Sequence, residues 1–186
     1  FAKEFQTKET ADLFMALLME KLSDNGRAGI VLPDSILFGD GVKNNIKAKL
    51  LKEFNLHTIV RLPEGVFAPY TSITTNLLFF NRDPKGTKEI WFYELELPEG
   101  LARFTKTNSI KKQHFNKVRD WWNNRIENEQ SWLVKIEDIK NYNLDLKNPS
   151  KIDETESYTI EEILDKMKEI TNENSDILSK LEGMLK

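Results

Sequence analysis

Apolar positions change their spacing along the chain, and each change marks an element. From Thr7 to Ser23, Leu13, Phe14, Leu17, Leu18 and Leu22 recur at intervals of three to four residues. That spacing predicts an amphipathic helix, with Asn25-Gly26 as its stop. Ala28 to Leu32 is a continuous apolar run bounded by Gly26 and Pro33, as expected for a strand buried on both faces of a mainly parallel sheet. Ile46, Ala48, Leu50, Leu51 and Phe54 predict a second helix over Val42–Phe54, and Leu56–Leu62 reads as the next strand. Helix and strand alternating at such short intervals indicate an α/β fold.

After Pro63 the pattern changes. A loop from Glu64 to Ile73 leads into Thr75–Asn81, and Glu89–Glu94 follows the turn residues Asp83-Pro84-Lys85-Gly86. Both segments are rich in aromatic and branched residues, which predicts a hairpin, an antiparallel edge on the parallel sheet. Phe115, Val118, Trp121 and Trp122 give Gln113–Asn128 an aromatic helical face, whereas Trp132–Lys147 reads as irregular or only briefly structured. The polar, acidic stretch 149–158 reads as a linker between a domain at 1–148 and a terminal helix at 159–186. Thr159 and Glu162 form a capping box there, with Tyr158 stapling Ile163. Ile163, Met167, Ile170, Asn174, Ile177, Leu181 and Met184 then alternate spacings of four and three, the seam of a coiled coil with one polar member. The seam packs either on the chain's own domain or on a partner helix.

Composition narrows the possible functions. With 186 residues, 39% hydrophobic and 31% charged, the chain can bury one core. Its longest apolar run, Leu13 to Met19, is far short of the roughly 20 residues needed to cross a bilayer. No membrane association is expected. The chain has no cysteine, which removes disulfides and thiolate metal sites and fits a cytoplasmic setting. Its net charge of -3 conceals a division: after Ser150 there are five lysines against ten acidic residues, while the first 150 residues carry 22 basic and 20 acidic. Neither part has the basic excess of a protein that holds DNA by charge alone. Any DNA contact must be local or shared with other chains.

The candidate chemistry gathers where strands end, since α/β sheets present their sites there. Asp34 and Ser35 follow the first strand; they face a site edge or cap the local turn. Asn76, at a strand start, contacts a ligand or closes a turn. His57 and His114 have no acidic or nucleophilic companion at motif spacing, and no Asp-Glu-Lys cluster suggests a nuclease metal site. The sequence contains no glycine-rich cradle and no obvious nucleophile. It reads as half of an active site, and with Phe1 in place of an initiating Met it is expected to be a piece of something longer.

The segments GRAGIVLPDSILFG, KAKLLKEFNLHTIVRLPEGVFAPYTSITTNLLFF and EIWFYEL resemble the modification subunit of type I restriction-modification systems, an adenine-specific DNA methyltransferase. A weaker likeness extends through Trp121-Trp122 and Tyr142-Asn143-Leu144 to the terminal helix. The resemblance implies the distal half of a Rossmann-like methyltransferase sheet, mixed and with the antiparallel hairpin at its edge, followed by a C-terminal helical segment. It also implies S-adenosylmethionine as cofactor, DNA as substrate, and the specificity and restriction subunits as partners. The family's cofactor loop and Asn-Pro-Pro-Phe motif do not occur here; both are expected upstream, which would leave this piece inactive alone.

In that setting Phe67, Tyr70 and Thr71 belong to the wall facing the flipped adenine, with Asn76, Asp34 and Ser35 also facing base or DNA. Phe67 alternatively plugs the core beneath its loop. Aromatic stacking on a base is worth about 1–3 kcal/mol. Ile163, Met167, Ile170, Asn174, Ile177 and Leu181 are the residues expected to meet the specificity subunit. A competing function is a non-catalytic assembly module that binds a partner through the same helix.

Overall fold

The computed structural model describes residues 5–151, 163–165, 167–172, 174, 175 and 177. The chain divides into two units, Phe1–Lys151 and Ile152–Lys186. The first is built on a five-stranded mixed sheet with the order β1-β3-β2-β4-β5. Its strands are β1 (Arg27–Pro33), β2 (Phe54–Arg61), β3 (Thr75–Arg82), β4 (Glu89–Glu94) and β5 (Ser131–Lys135). Four helices accompany them: α1 (Thr10–Lys21), α2 (Ser35–Phe38), α3 (Val42–Glu53) and α4 (Asn116–Asn123).

Strand alternation places one core on each face of the sheet. Leu78 and Phe80 of β3, Ile90 and Phe92 of β4, and Phe54, Leu56 and Ile59 of β2 join the core beneath α1 and α3. On the other face Val60, Leu62, Tyr93 and Leu95 pack with Val118 and Trp121 of α4, as its aromatic periodicity predicts. Leu56 and Ile59 share a face although three residues apart because β2 shifts register between Leu56 and Thr58. Such a bulge adds one residue and restores the alternation beyond it.

The mixed α/β sheet agrees with the sequence reading, but the expected hairpin does not form. β3 lies inside the sheet, antiparallel to both β1 and β2, while β4 runs parallel to β2 on its other side. Thr87 supplies the physical reason. Its backbone N–H donates to Leu51 O at 2.8 Å, its hydroxyl donates to Phe54 O at 2.9 Å and accepts from Leu56 N at 2.8 Å. The connection is thereby fastened to the start of β2 and carries β4 past it. Gly86 makes the close approach possible, with φ of 70° and an added Cβ only 2.8 Å from Leu51 O.

β1 is an edge strand of this sheet and not one buried on both faces, with Val31 46% exposed. Trp132 begins the irregular segment in the sequence reading but belongs to β5, stacked on Phe92 at 5.3 Å. In α1 the fully buried face is Asp12, Met15, Ala16 and Met19, whereas Phe14 is 59% exposed. Both stripes of α1 are apolar enough to bury; Lys43 selects between them, reaching Asp12 from α3 with Nζ–O distances of 2.8 and 2.9 Å.

The second unit is helical at its described positions. Ile163, Met167, Ile170 and Ile177 are exposed on it, as is Asn174. Thr159 and Glu162 of the capping box, Tyr158 of the staple, and Leu181 and Met184 of the seam lie outside the described residues. Among the described residues no helix is long and apolar enough to cross a membrane.

Candidate base-facing site at the strand ends

Because β1, β2 and β4 all run antiparallel to β3 or parallel to one another, their C-terminal ends and the start of β3 share one end of the sheet. Asp34 follows β1 there. It occupies the position before α2, yet makes no side-chain cap. Its Oδ1 accepts from Asn76 Nδ2 at 2.7 Å and its Oδ2 from Thr74 Oγ1 at 3.0 Å. Of the two sequence readings for Asp34, the turn cap is therefore absent: the carboxylate reaches across to β3. Ser35 is half-buried at the start of α2, where its carbonyl accepts from Gly39 N.

Asn76 is 1% exposed, and its Oδ1 has no hydrogen-bond partner among the described residues. A buried amide oxygen without a donor carries a desolvation cost, so the arrangement is a local exception that a donor from outside would relieve. Arg61 closes β2 beside it. Its guanidinium lies 3.8 Å from Asp34 Oδ1, donates to Asp145 Oδ1 at 2.7 Å and donates to Leu146 O at 2.9 Å. Charge-assisted forks of this kind fix geometry as well as add energy. Glu94, at the end of β4, accepts from Asn148 Nδ2 at 3.2 Å and pairs with Lys151 at 2.8 Å. The segment from Leu144 to Lys151 is thus strapped across the strand ends, with Leu144 buried and its N–H donated to Leu37 O.

Sequence reasoning passed over Arg61 and Asp145. An arginine as the last residue before Leu62-Pro63, at a strand end, was the available signal; nothing local marks Asp145.

The aromatic loop lies between β2 and β3. Gly65, at φ 81°, carries its backbone against Phe104, whose oxygen would be 2.0 Å from an added Cβ. Phe104 N in turn donates to Glu64 O at 3.0 Å. Past this anchor, Tyr70 N and Thr71 N donate to Phe67 O, and Thr71 Oγ1 accepts from Ile73 N at 3.0 Å. Ala68-Pro69 is a cis peptide. This tight local frame projects Tyr70, 92% exposed, and Phe67, 41% exposed, away from the core. Thr71 is half-buried. Phe67 does not act as the plug of the core; Val66 takes that place, packed against the α4-side cluster.

No group of His, Cys, Asp and Glu among the described residues could hold a metal ion. His57 is held at a pKa of about 4, first by burial and then by the nearby Arg125 charge; it lies in the middle of β2, four residues before Arg61.

Residues 1–159 match the family model described as N-6 DNA Methylase. The methylase subunit of the type I restriction enzyme EcoEI from Escherichia coli is 52% identical over 173 residues, 88% of this chain and 35% of that protein. Among solved structures, a modification subunit from Vibrio vulnificus YJ016 superposes with a TM-score of 0.78 at 46% identity, over 84% of this chain and 35% of the other. A chain from a type I R-M system, studied for its complex assembly and conformational transition, gives 0.73 at 39% identity, over 97% and 40% respectively. The chain spans about a third of the length of these relatives.

Proposed function

The chain belongs to the N-6 DNA methylase family, and on that premise we propose that it forms the distal part of the methyltransferase subunit of a type I restriction-modification enzyme. That enzyme transfers methyl from S-adenosylmethionine to the exocyclic amine of adenine in DNA. One observation carries the assignment of a base-facing role: an exposed aromatic loop, Phe67 to Tyr70, is anchored at the same end of the sheet as the Asp34, Asn76 and Arg61 network. A base must leave the duplex to be methylated, and flipped bases are held between aromatic or apolar side chains. Tyr70 and Phe67 supply that wall, with Thr71 at its rim, while Asp34 and Asn76 fix the strand ends behind it.

The described residues do not by themselves fit S-adenosylmethionine. β1 passes through Pro33 and Asp34 directly into α2 without a glycine-bearing loop, and the Asp34 carboxylate is already bonded to Thr74 and Asn76. The donor belongs to the part of the subunit outside this chain, so no chemical step is assigned to residues here. Their contribution is positioning, which methyl transfer requires of the amine as much as of the donor.

A second role rests on the terminal helix. Ile163, Met167, Ile170 and Ile177 present exposed apolar side chains, with Asn174 as a polar member of the seam. An apolar stripe of this spacing suits a partner helix, and the specificity subunit is the proposed partner, within a cytoplasmic complex that also holds the restriction subunit. The test uses the full-length subunit assembled with that partner. Tyr70→Ala and Phe67→Ala should cut adenine methylation by tenfold or more with folding unchanged; undiminished methylation in both variants would remove the base-facing role. Paired Ile170→Asp and Ile177→Asp changes should release the specificity subunit from a folded core.

A further inference from the structure

At the opposite end of the sheet a cavity of about 450 Å³ opens between the β3–β4 connection and the residues after α4, lined by Asn55, His57, Asp83, Lys85, Lys88 and Arg125 among others. We propose that this cavity binds a backbone phosphodiester of DNA, gripped by Arg125, as a contact separate from the base-facing wall. The proposal rests on the DNA-methylase reading.

Arg125 is the anomaly that points to a ligand. Its guanidinium lies 4.7 Å from the Trp122 ring centroid and 5.4 Å from that of Trp121. The residue is half-buried, and among the described residues its one hydrogen bond goes to His57 O at 3.4 Å. No carboxylate among those residues lies within ion-pair distance of it. Burial alone pulls its pKa down. An arginine has five N–H donors, and a partly desolvated cation with most of them unused is costly unless an anion completes it.

The group is also held in place beforehand. Ile126 O, the next carbonyl along the chain, accepts from Trp121 Nε1 at 3.0 Å and from Ser131 Oγ at 2.8 Å. The turn after α4 is therefore clamped on both sides, which leaves the arginine little freedom to lose on binding.

Charge selects the class of anion. Lys85 and Lys88 are exposed at the rim and form no ion pair among the described residues; Asp83 and Glu89 also line the cavity. Asp83 Oδ1 accepts from Lys85 N in the turn, and His57 is neutral at pH 7. Three cations face two carboxylates, an excess of one. A phosphodiester carries a single charge and suits this excess; a dianionic phosphate monoester would meet the Asp83 and Glu89 carboxylates with charge left over. His57 precedes Arg61 by four residues in β2, about 13 Å at strand rise, a distance duplex DNA covers in about four base pairs.

The experiment measures duplex affinity of the full-length subunit with its specificity partner across a salt series, on cognate and unrelated sequences. Arg125→Gln should weaken both equally, about tenfold, and reduce the log–log salt slope by about one; Arg125→Lys should bind with intermediate affinity and keep the parent slope. An unchanged slope in a folded Arg125→Gln protein overturns the proposal. So does an unchanged slope accompanied by loss of a partner subunit, which would identify an acidic protein segment as the occupant. Should Arg125→Gln fail to fold, Lys85→Gln with Lys88→Gln carries the test: a slope reduced by up to about one supports the site, and no change refutes it. Absence of methylation by the unmodified complex would strike the proposed function instead, since the cavity is judged only by the difference between variant and parent slopes.

Discussion

Asn76 donates its side-chain amide to Asp34 Oδ1 at 2.7 Å, joining the residue after β1 to the second residue of β3 across 42 positions of sequence. Removing that donor leaves Asp34 with only Thr74 as a close hydrogen-bond donor and Arg61 at 3.8 Å. Asn76→Ala should therefore destabilise the fold by about 1–3 kcal/mol in urea unfolding. Asn76→Asp should cost more at pH 8 and recover as the pH falls, because two adjacent carboxylates share a proton more readily than they share a charge. Equal stability of the Asp variant and the parent at pH 8 would contradict this account.

Gly65 sets the aromatic loop. At φ 81° with Phe104 O 2.0 Å from an added Cβ, an alanine is excluded by both conformation and backbone contact. Gly65→Ala should lower stability by more than about 2 kcal/mol and change the proteolytic sensitivity of residues 64–73. An alanine at Gly41 tests the contrast: φ is 63° there, but nothing lies within 4 Å, so only the conformational cost should appear.

The pair that fixes α1 is nearly buried. Asp12 and Lys43 meet at 2.8 Å with side chains 3% and 12% exposed. Burial alone would lower the Lys43 pKa, but hydrogen bonds and charge from Asp12 and Glu9 outweigh it and hold the pKa raised. Asp12→Ala leaves the ammonium with Glu9 alone and should cost about 3–5 kcal/mol, the range for a broken buried pair. Adding Lys43→Met should restore much of it. A double variant no more stable than Asp12→Ala would show that packing, not the stranded charge, accounts for the loss.

His57 gives the fold a pH dependence of known sign. Its folded pKa of about 4 lies below the unfolded value near 6.5, so the unfolded chain takes up a proton that the folded chain resists. Its contribution is complete above pH 6.5 and is lost as pH falls toward 4, amounting to about 2–3 kcal/mol by pH 4.5. Subtracting the pH profile of His57→Gln from that of the parent should isolate this loss. A difference that stays constant from pH 7 to 4.5 would show that His57 titrates normally.

How far the sequence could be read follows the range of the interactions involved. The aromatic face of α4, the span of α3 and the strands near Leu56–Leu62 and Thr75–Asn81 were legible because side-chain period is fixed by backbone geometry within a few residues. The loop after Pro63 was legible too, since turn residues act locally. Which strand pairs with which was not. β3 and β4 are adjacent in sequence and both apolar, yet the three hydrogen bonds of Thr87 to the end of α3 and the start of β2 send them to opposite sides of β2. The buried face of α1 depended on Lys43, 31 residues away from Asp12, and the strap over the strand ends on Arg61 meeting Asp145 across 84 residues.

Residue order alone settled α1, α3, α4, the strands β1 to β4, the α/β class and the aromatic loop, because each depends on neighbours along the chain; α2 and β5 were not legible in it. Three outcomes waited for the folded arrangement: β3 lies inside the sheet, Asp34 reaches to Asn76 rather than capping its own turn, and Arg125 is held against two tryptophans with no carboxylate partner among the described residues. Those outcomes are competitions between distant partners, settled when the chain closes and one set of buried polar groups finds its hydrogen bonds.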